Sequence, residues 1–180
     1  MSEAIRRFFG NPVIPVVVID DAAQAVPLAE TLLDAGISAI EITLRTPRAL
    51  AAMEAIAKQV PAMQLTAGTA LNRRHLQQVP GIATASELML GLNAGLTHFK
   101  LFPASAINGI ALAKAFASPF PEARFCCTGG ITEPELPAYL AEANIPSVGV
   151  SWLAARPAIA AGRWDEIRAA ALRLKPRNPS

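Results

Sequence analysis

Short apolar stretches alternate with amphipathic ones along the chain, at a spacing of roughly thirty residues. The stretch from Val13 to Ile19 is β-branched and apolar on both faces, which is typical of a strand buried in a parallel sheet. After Asp20 and Asp21, apolar residues recur at helical spacing as far as Gly36, which predicts a helix. The pattern therefore predicts strand–helix units that form a parallel sheet with right-handed crossovers.

The same alternation predicts six strands in total and a helix after most of them. The other five strands are 39–44, 63–67, 97–102, 124–127 and 147–150. Further helices are predicted after Pro47, around 73–78, from the capping box Thr84-Ala-Ser-Glu87 to about Gly95, near 107–117 and from the capping box Thr132-Glu-Pro-Glu135 to Ala143, with one or two more over 154–174. A complete eightfold barrel typically needs about 250 residues, so length alone favours an open doubly wound sheet.

Composition limits the classes of protein that the chain could represent. Its 180 residues suit one domain, 1–180, and 52% hydrophobic with 17% charged residues exclude disorder. A net charge of +2 without a concentrated basic patch argues against a nucleic-acid partner. There is no apolar run as long as a membrane span and no signal-peptide core. We therefore expect a soluble, cytoplasmic protein with no membrane partner.

Two predicted strands carry charged residues where a parallel sheet is normally apolar. Alternation groups Glu41 with Arg45 on one face of the second strand, and Lys100 with His98 on one face of the fourth. In an open sheet these charges would be buried against helices, at a cost of several kcal/mol each unless paired. A barrel instead has a polar mouth at the carboxyl ends of its strands, where active sites form. The charges therefore favour a (β/α) barrel.

Lys100 differs from the other three lysines because it lies inside an apolar strand. Lys58 and Lys114 lie on predicted helices and Lys175 in a polar tail, where a solvated charge is expected. Burial and a nearby cation such as Arg45 would both disfavour the charged form of Lys100 and leave a nucleophilic amine. The pattern leaves open the alternative that Lys100 forms a structural ion pair with Glu41.

A glycine pair marks a candidate phosphate site. Gly129 and Gly130 follow a predicted strand and precede a capped helix, where backbone N–H groups and the helix dipole favour an anion. Ser151, at the end of the next strand, could add a hydroxyl group. His75 and His98 lack ligand spacing with any Cys, Asp or Glu, so we expect no metal site.

Seven short motifs follow one another along nearly the whole chain. They are Pro12-Val-Ile-Pro-Val, Glu41-Ile-Thr-Leu-Arg45-Thr, Ala67-Gly-Thr69, Pro80-Gly-Ile-Ala-Thr84, Phe99-Lys100-Leu-Phe102-Pro-Ala, Cys127-Thr128-Gly129-Gly130-Ile131 and Gly149-Val-Ser151-Trp152-Leu. Their order resembles that in the 2-keto-3-deoxy-6-phosphogluconate aldolase and 4-hydroxy-2-oxoglutarate aldolase family. The resemblance implies a trimeric (β/α)8 barrel and a class I, Schiff-base aldolase that needs no cofactor and no metal. Its substrate would be a phosphorylated keto acid, cleaved to pyruvate and glyceraldehyde 3-phosphate.

The resemblance also implies roles for individual residues. Lys100 is similar to the Schiff-base lysine of the family, and Glu41 to its general acid and base. The remaining positions are similar to substrate contacts: Arg45 and Thr69 for the pyruvate carboxylate and carbonyl, Phe102 for the wall beside the imine, Thr128 for the hydroxylated chain, and Gly129, Gly130 and Ser151 for the phosphate.

The chain departs from the family between Gln78 and Pro80, where on the order of thirty residues, about one strand–helix–strand unit, are absent. We therefore expect an incomplete barrel with about six of the eight strands. Two alternatives to an active aldolase stay open. One is a weakly active or inactive remnant that binds a phosphorylated sugar acid, and the other is a phosphosugar barrel enzyme that uses Glu41 as a base without an imine.

Overall fold

A computed structural model of the chain describes residues 3–68 and 79–174. In chain order the elements are α1 (Glu3–Phe9), β1 (Val13–Val17), a 3-10 turn (Ala22–Gln24), α2 (Ala25–Asp34), β2 (Ala39–Thr43), α3 (Ala49–Gln59), β3 (Gln64–Gly68), β4 (Gly81–Ile82), α4 (Ala85–Asn93), β5 (His98–Leu101), α5 (Gly109–Ala117), β6 (Arg124–Thr128), α6 (Leu136–Leu140), β7 (Ser147–Val150), α7 (Arg156–Ala160) and α8 (Trp164–Arg173). No helix within these residues is long and apolar enough to span a membrane.

The chain divides into two compact units, each made of two separate segments. The described residues of the first unit are 3–14 and 79–150, and those of the second unit are 15–68 and 151–174. Strand β1 begins in the first unit and ends in the second.

In the first unit, strands β4, β5, β6 and β7 pair in that order, and every pair is parallel. Three phenylalanine rings pack between this ladder and α5: the ring centroids of Phe99 and Phe125 lie 6.3 Å apart, and those of Phe116 and Phe125 lie 5.9 Å apart. Helix α1 is held against β7, because the Ser147 hydroxyl donates to the carbonyl oxygens of Phe9 (3.1 Å) and Asn11 (2.8 Å).

In the second unit, strands β1, β2 and β3 pair in that order, again in parallel. Helix α2 packs between α3 and α8, with Leu28 and Leu32 fully buried. Arg168 of α8 donates to Asp34 at the end of α2 at 3.0 Å, and the Gln24 amide donates to the Ala160 carbonyl oxygen at 3.0 Å. The carboxyl-terminal helices therefore close this unit over its strands.

The six predicted strands are confirmed, but the count of six was wrong because the described residues contain seven strands. The seventh is β4, in which Gly81 and Ile82 pair with Lys100 and Leu101. The Lys100 N–H donates to the Pro80 carbonyl oxygen at 2.8 Å. Two residues are too few to show an alternation, so the sequence pattern could not reveal them. A strand count of seven in an α/β fold is consistent with an incomplete barrel.

The helices differ more from prediction than the strands. Helix α6 spans five residues instead of running from Thr132 to Ala143, and α1 was not predicted. The segment 154–174 contains two helices, α7 and α8. The helix predicted around 73–78 lies outside the described residues.

Candidate active site

Lys100 lies within β5, and the predicted alternation of this strand is confirmed. The side chains of Phe99 and Leu101 are fully buried on one face, whereas those of His98 and Lys100 are half-buried on the other. Because β5 pairs with both β4 and β6, the backbone of Lys100 is held from two sides, opposite Gly81 and Cys126. The two neighbouring strands therefore fix the backbone position from which the Lys100 side chain extends.

An aromatic ring lies beside the lysine amine. The Nζ atom of Lys100 is 5.9 Å from the centroid of the Phe102 ring, which is 46% exposed just beyond the end of β5. The ring lies over Gly129, where a Cβ atom would come within 2.9 Å of the ring carbons. Gly129 also has φ +106°, a conformation that favours glycine. Residue 129 is therefore limited to glycine by both conformation and space.

Thr128 ends strand β6 with a buried side chain. Its Oγ1 atom is 3.7 Å from the Cys126 Sγ atom, and its neighbour across the ladder is Gly149. A Cβ at Gly149 would overlap the Thr128 hydroxyl.

The Cys127 thiol lies beside this pair on β6. Its burial is the main cause that raises its pKa, and the neighbouring Cys126 raises the pKa further. The Cys127 thiol therefore stays protonated and unreactive.

Two backbone hydrogen bonds join the loop after β5 to the loop after β6. The Ala104 N–H donates to the Thr128 carbonyl oxygen at 2.8 Å, and the Ser105 N–H donates to the Gly129 carbonyl oxygen at 2.9 Å. Gly130 has φ +77°, and a Cβ there would lie 2.8 Å from the Ser105 Cβ. The glycine loop and exposed Ser105 therefore form one surface at the carboxyl ends of these strands.

The helix predicted to open at Thr132 begins four residues later, at Leu136. The Glu135 carboxylate instead accepts hydrogen bonds from the Thr132 N–H (2.8 Å) and hydroxyl (2.6 Å). Pro137 explains the shift, because it has no N–H to donate to the Glu133 carbonyl oxygen in a helix that began at Glu133, whereas proline is tolerated in the first turn of α6. A helix dipole directly behind the glycine pair was therefore a wrong expectation.

In the second unit, Glu41 is a buried carboxylate on a fully buried strand. Its side chain is 5% exposed, and its register partner on β3 is Thr66. The carboxylate reaches Gly68, two residues further along β3, and occupies the space that a Cβ at that position would need. The Glu41 side chain therefore leans toward the carboxyl ends of the strands, which is where parallel sheets place their active sites.

Arg45 lies in the turn after β2, because the strand ends at Thr43 and not at Leu44 as predicted. The Arg45 N–H donates to the Thr43 carbonyl oxygen at 2.8 Å, and the Arg45 side chain is exposed. The Thr43 hydroxyl donates to the Val17 carbonyl oxygen at 3.0 Å, and the Thr46 hydroxyl donates to that of Ile19 at 2.5 Å. These two bonds fix the turn that carries the guanidinium group.

The last two candidate site residues are Ser151 and Thr69. Ser151 is exposed directly after β7 and belongs to the second unit. Thr69 lies outside the described residues. Within the described part of the chain, no three His, Cys, Asp or Glu side chains are grouped so that they could hold a metal ion.

Sequence reasoning missed the close approaches at Gly68 in the second unit and at Gly149 and Ser105 in the first unit. A glycine inside a strand weakens the strand and often marks a close approach of another group. That signal was present at Gly68 and Gly149, but the identity of the approaching side chain depends on the register between strands.

Sequence reasoning also missed an ion pair in the second unit. Arg156 binds both carboxylate oxygens of Asp20, at 2.6 and 2.7 Å. It lowers the pKa of Asp20 and fixes the loop after β1.

The family model described as KDPG and KHG aldolase matches residues 5–79 and 74–170. The two matched segments overlap beside the predicted deletion.

Individual relatives agree with this match. The 2-dehydro-3-deoxy-phosphogluconate aldolase of Pseudoalteromonas atlantica is 41% identical over 189 residues, with 89% of this chain and 88% of the relative covered. Because 189 exceeds the 180 residues of this chain, the alignment includes positions at which the chain has no residue. The KHG/KDPG aldolase of Escherichia coli K12 is 39% identical, with 87% of each chain covered.

A solved structure extends the similarity to the fold. The KDPG aldolase of Legionella pneumophila, with pyruvate captured as a covalent carbinolamine intermediate, aligns with a TM-score of 0.88 at 34% identity. The alignment covers 96% of this chain and 98% of the Legionella chain.

Proposed function

The chain belongs to the KDPG and KHG aldolase family, and from this premise we propose that it is a class I aldolase that uses Lys100 as its Schiff-base nucleophile. The proposed reaction cleaves 2-keto-3-deoxy-6-phosphogluconate to pyruvate and glyceraldehyde 3-phosphate. 4-Hydroxy-2-oxoglutarate is a second proposed substrate, because one of the relatives carries the name KHG/KDPG aldolase.

One observation supports this proposal more than any other: the placement of Lys100. The residue lies within a strand, its backbone is held by two neighbouring strands, and its amine lies 5.9 Å from the centroid of the Phe102 ring. A solvated structural lysine needs none of these features. The Legionella structure, with pyruvate held as a covalent carbinolamine, supports the same chemistry for this family.

The reaction begins when the neutral amine of Lys100 attacks the C2 carbonyl carbon of the substrate. Addition gives a carbinolamine, and loss of water gives a protonated imine, which acts as an electron sink. Arg45 holds the substrate carboxylate through its fork of N–H donors and so orients C2 toward the amine. Thr69 contacts the carbonyl region, and Phe102 forms the wall beside the imine.

Carbon–carbon cleavage follows proton transfer. Glu41, directly or through a water molecule, removes the proton from the C4 hydroxyl group, and the C3–C4 bond breaks. The bonding electrons pass to the imine, which leaves an enamine of pyruvate on Lys100 and releases the aldehyde. Protonation of the enamine at C3 and hydrolysis of the imine release pyruvate and restore the free lysine.

The other end of the substrate is bound by the loops after β6 and β7. Thr128 contacts the hydroxylated chain, and its buried position at the strand end supports this role. Gly129, Gly130 and Ser151 bind the phosphate through backbone N–H groups and a hydroxyl group. The reaction as written requires no metal or cofactor.

At the level of the whole molecule, we propose an incomplete (β/α)8 barrel that spans residues 1–180 as one domain. We further propose a homotrimer that works in the cytoplasm on a small phosphorylated keto acid. Sedimentation equilibrium tests the trimer directly, because one chain has a mass of 18.9 kDa.

The proposed imine is tested by reduction with borohydride in the presence of pyruvate, followed by intact-mass and peptide-mass analysis. We expect one pyruvyl adduct on Lys100 and none on the Lys100→Ala variant. Lys114→Ala is the matched control, because Lys114 forms an ion pair with Glu142 at 3.0 Å on the surface of the first unit. An unmodified Lys100 in folded protein would overturn the imine mechanism.

A second candidate function is favoured by the missing positions in the alignment with the relatives. A chain that lacks about one strand–helix–strand unit could bind a phosphorylated sugar acid without cleaving it. Binding of 6-phosphogluconate in calorimetry, with neither an imine nor pyruvate release, would favour this candidate over the aldolase. A third candidate, a base-catalysed reaction by Glu41, would give turnover of a phosphosugar without trapping.

A further inference from the structure

We propose that Gly68 is a positioning residue, whose missing side chain provides the space in which the Glu41 carboxylate is held. The inference rests on the proposed function, in which Glu41 is the general base, and it concerns how that base is held. It is drawn from strands β2 and β3 of the second unit alone.

The backbone at Gly68 does not itself require glycine. Positive φ values occur at Gly36, Gly95, Gly129, Gly130 and Gly162, but Gly68 is not among them. Its backbone is held in the ladder, where it pairs with Thr43 and its carbonyl oxygen accepts the Leu44 N–H at 2.8 Å. An alanine could adopt this conformation, and glycine in a strand weakens the strand. The reason for glycine must therefore be space.

The Glu41 side chain fills the space beside Gly68. The three atoms nearest to a Cβ built at position 68 all belong to Glu41: Oε1, Cδ at 2.9 Å and Cγ at 3.1 Å. Contacts below 3.0 Å essentially do not occur for real Cβ atoms, so an alanine at position 68 would displace the carboxylate. Glu41 is 5% exposed on a strand whose five residues are all buried, which leaves it little room to move elsewhere.

The first unit repeats this arrangement. A Cβ at Gly149 would overlap the Thr128 hydroxyl and lie 2.9 Å from Cγ2 and 3.1 Å from Cβ of the same threonine. Gly149 also has no positive φ and is the register partner of Thr128. In both units, a glycine on the neighbouring strand leaves room for a polar side chain. Close packing of this kind helps to hold a reacting group in one rotamer.

The test is a double-mutant cycle between positions 68 and 41, read out by the kcat of pyruvate release. We expect Gly68→Ala to lower kcat roughly 10- to 100-fold with a smaller change in KM, because small misplacements of a catalytic group have effects of this size. Asp is one methylene shorter than Glu, so it withdraws the carboxylate from the space at position 68. In the Glu41→Asp background, Gly68→Ala should therefore change kcat less than about threefold.

Leu50→Ala is the control within the second unit, because the Leu50 side chain is 61% exposed on α3. It should leave kcat within about twofold of the parent value. Equal losses of kcat from Gly68→Ala in the parent chain and in the Glu41→Asp background would overturn the positioning role.

A second readout separates this inference from the proposed function. Gly68→Ala should lower Tm by about 5 °C in the parent chain and by much less in the Glu41→Asp background, whether or not the protein is an aldolase. Absence of both trapping and turnover in the parent would overturn the proposed function, and with it the catalytic role of Gly68. Equal Tm losses in both backgrounds would overturn the steric placement itself.

Discussion

At the scale of single residues, His98 shows how a side chain next to a candidate nucleophile can serve the fold instead. Its ring packs edge-on against Phe9, with centroids 4.5 Å apart, and its Nδ1 atom is 2.9 Å from the Thr97 hydroxyl oxygen. His98 thus joins α1 to the start of β5 in the first unit. Burial is the main cause that lowers the pKa of His98, and the positive charge of the neighbouring Arg124 guanidinium lowers it further.

This lowered pKa predicts a pH dependence of stability. The unfolded chain takes up a proton near pH 6.5, whereas the folded chain resists it, so the free energy of unfolding should be highest above pH 6.5 and fall below it. One proton is involved and the ring is partly exposed, so the loss between pH 7.5 and 5.5 should stay below about 1.4 kcal/mol. Urea denaturation at the two pH values measures it.

His98→Gln is the control for this prediction, because glutamine can replace the hydrogen bond but does not titrate. The variant should lose the pH dependence between 7.5 and 5.5 while keeping the fall below pH 4.5 that titrating carboxylates such as Glu87 produce. An unchanged pH dependence in His98→Gln would assign the effect to another group.

Single-residue reasoning predicted that Lys100 and Glu41 lie within strands but did not predict the close approach at Gly68, and the difference has a physical cause. A charge inside an apolar strand is visible in the sequence alone, because alternation assigns each position to a face. The need for Gly68 depends on which residue of β2 lies beside it. That register is set by the pairing of β2 with β3, in which each residue lies opposite a partner 25 positions further along the chain, as Ala39 lies opposite Gln64.

At the scale of elements, two similar sequence motifs produce different structures. Thr84-Ala-Ser-Glu87 forms the predicted capping box at the start of α4, with the Thr84 hydroxyl accepting the Glu87 N–H at 3.3 Å. In both motifs the threonine hydroxyl also donates to the glutamate carboxylate, but Thr132-Glu-Pro-Glu135 forms a turn, in which the Glu135 N–H donates to the Thr132 carbonyl oxygen at 3.2 Å. Pro137 makes the difference, because it lacks the N–H that a helix beginning at Glu133 would need, and so delays the start of the helix to Leu136.

This contrast predicts unequal effects of one substitution. Thr84→Ala should lower the free energy of unfolding by about 1 kcal/mol, the usual loss for a helix cap, and Tm by about 3 °C. Thr132→Ala should have a smaller effect, because α6 starts at Leu136 and does not use Thr132 as its cap. Thermal unfolding of the two variants side by side provides the measurement, and a larger loss for Thr132→Ala would contradict the assignment of the caps.

The buried face of α3 was predicted only in part, because tertiary contacts decide which residues of a helix are buried. Among the large apolar residues of this segment, Ile56 and Val60 are buried, whereas Leu50 is 61% exposed. The small residues Ala49 and Ala52 are also buried, which a pattern of large apolar residues does not show.

At the scale of the whole molecule, each compact unit joins segments that are far apart in the chain. The second unit needs residues 151–174, because α8 covers α2 and because Ile159 and Ile167 are almost fully buried in it. The first unit, in contrast, contains its own four-strand ladder and helix α1 within residues 3–150. The sequence predicted the missing strand–helix–strand unit but not this division, since long-range closure leaves no local pattern.

The division predicts the outcome of a truncation. A chain that ends at residue 150 loses two buried isoleucines, each contributing about 1.5 to 3 kcal/mol, and the ion pairs of Arg156 with Asp20 and Arg168 with Asp34. The second unit should therefore lose its structure, whereas the first unit retains every segment that it needs. Hydrogen exchange measured by mass spectrometry should show loss of protection in β2 and β3 and retained protection in β5 and β6.

A chain ending at residue 174 is the matched control for this truncation, and both pairs of strands should stay protected in it. Equal loss of protection in all four strands of the shorter chain would mean that the first unit cannot hold its structure without residues 151–174.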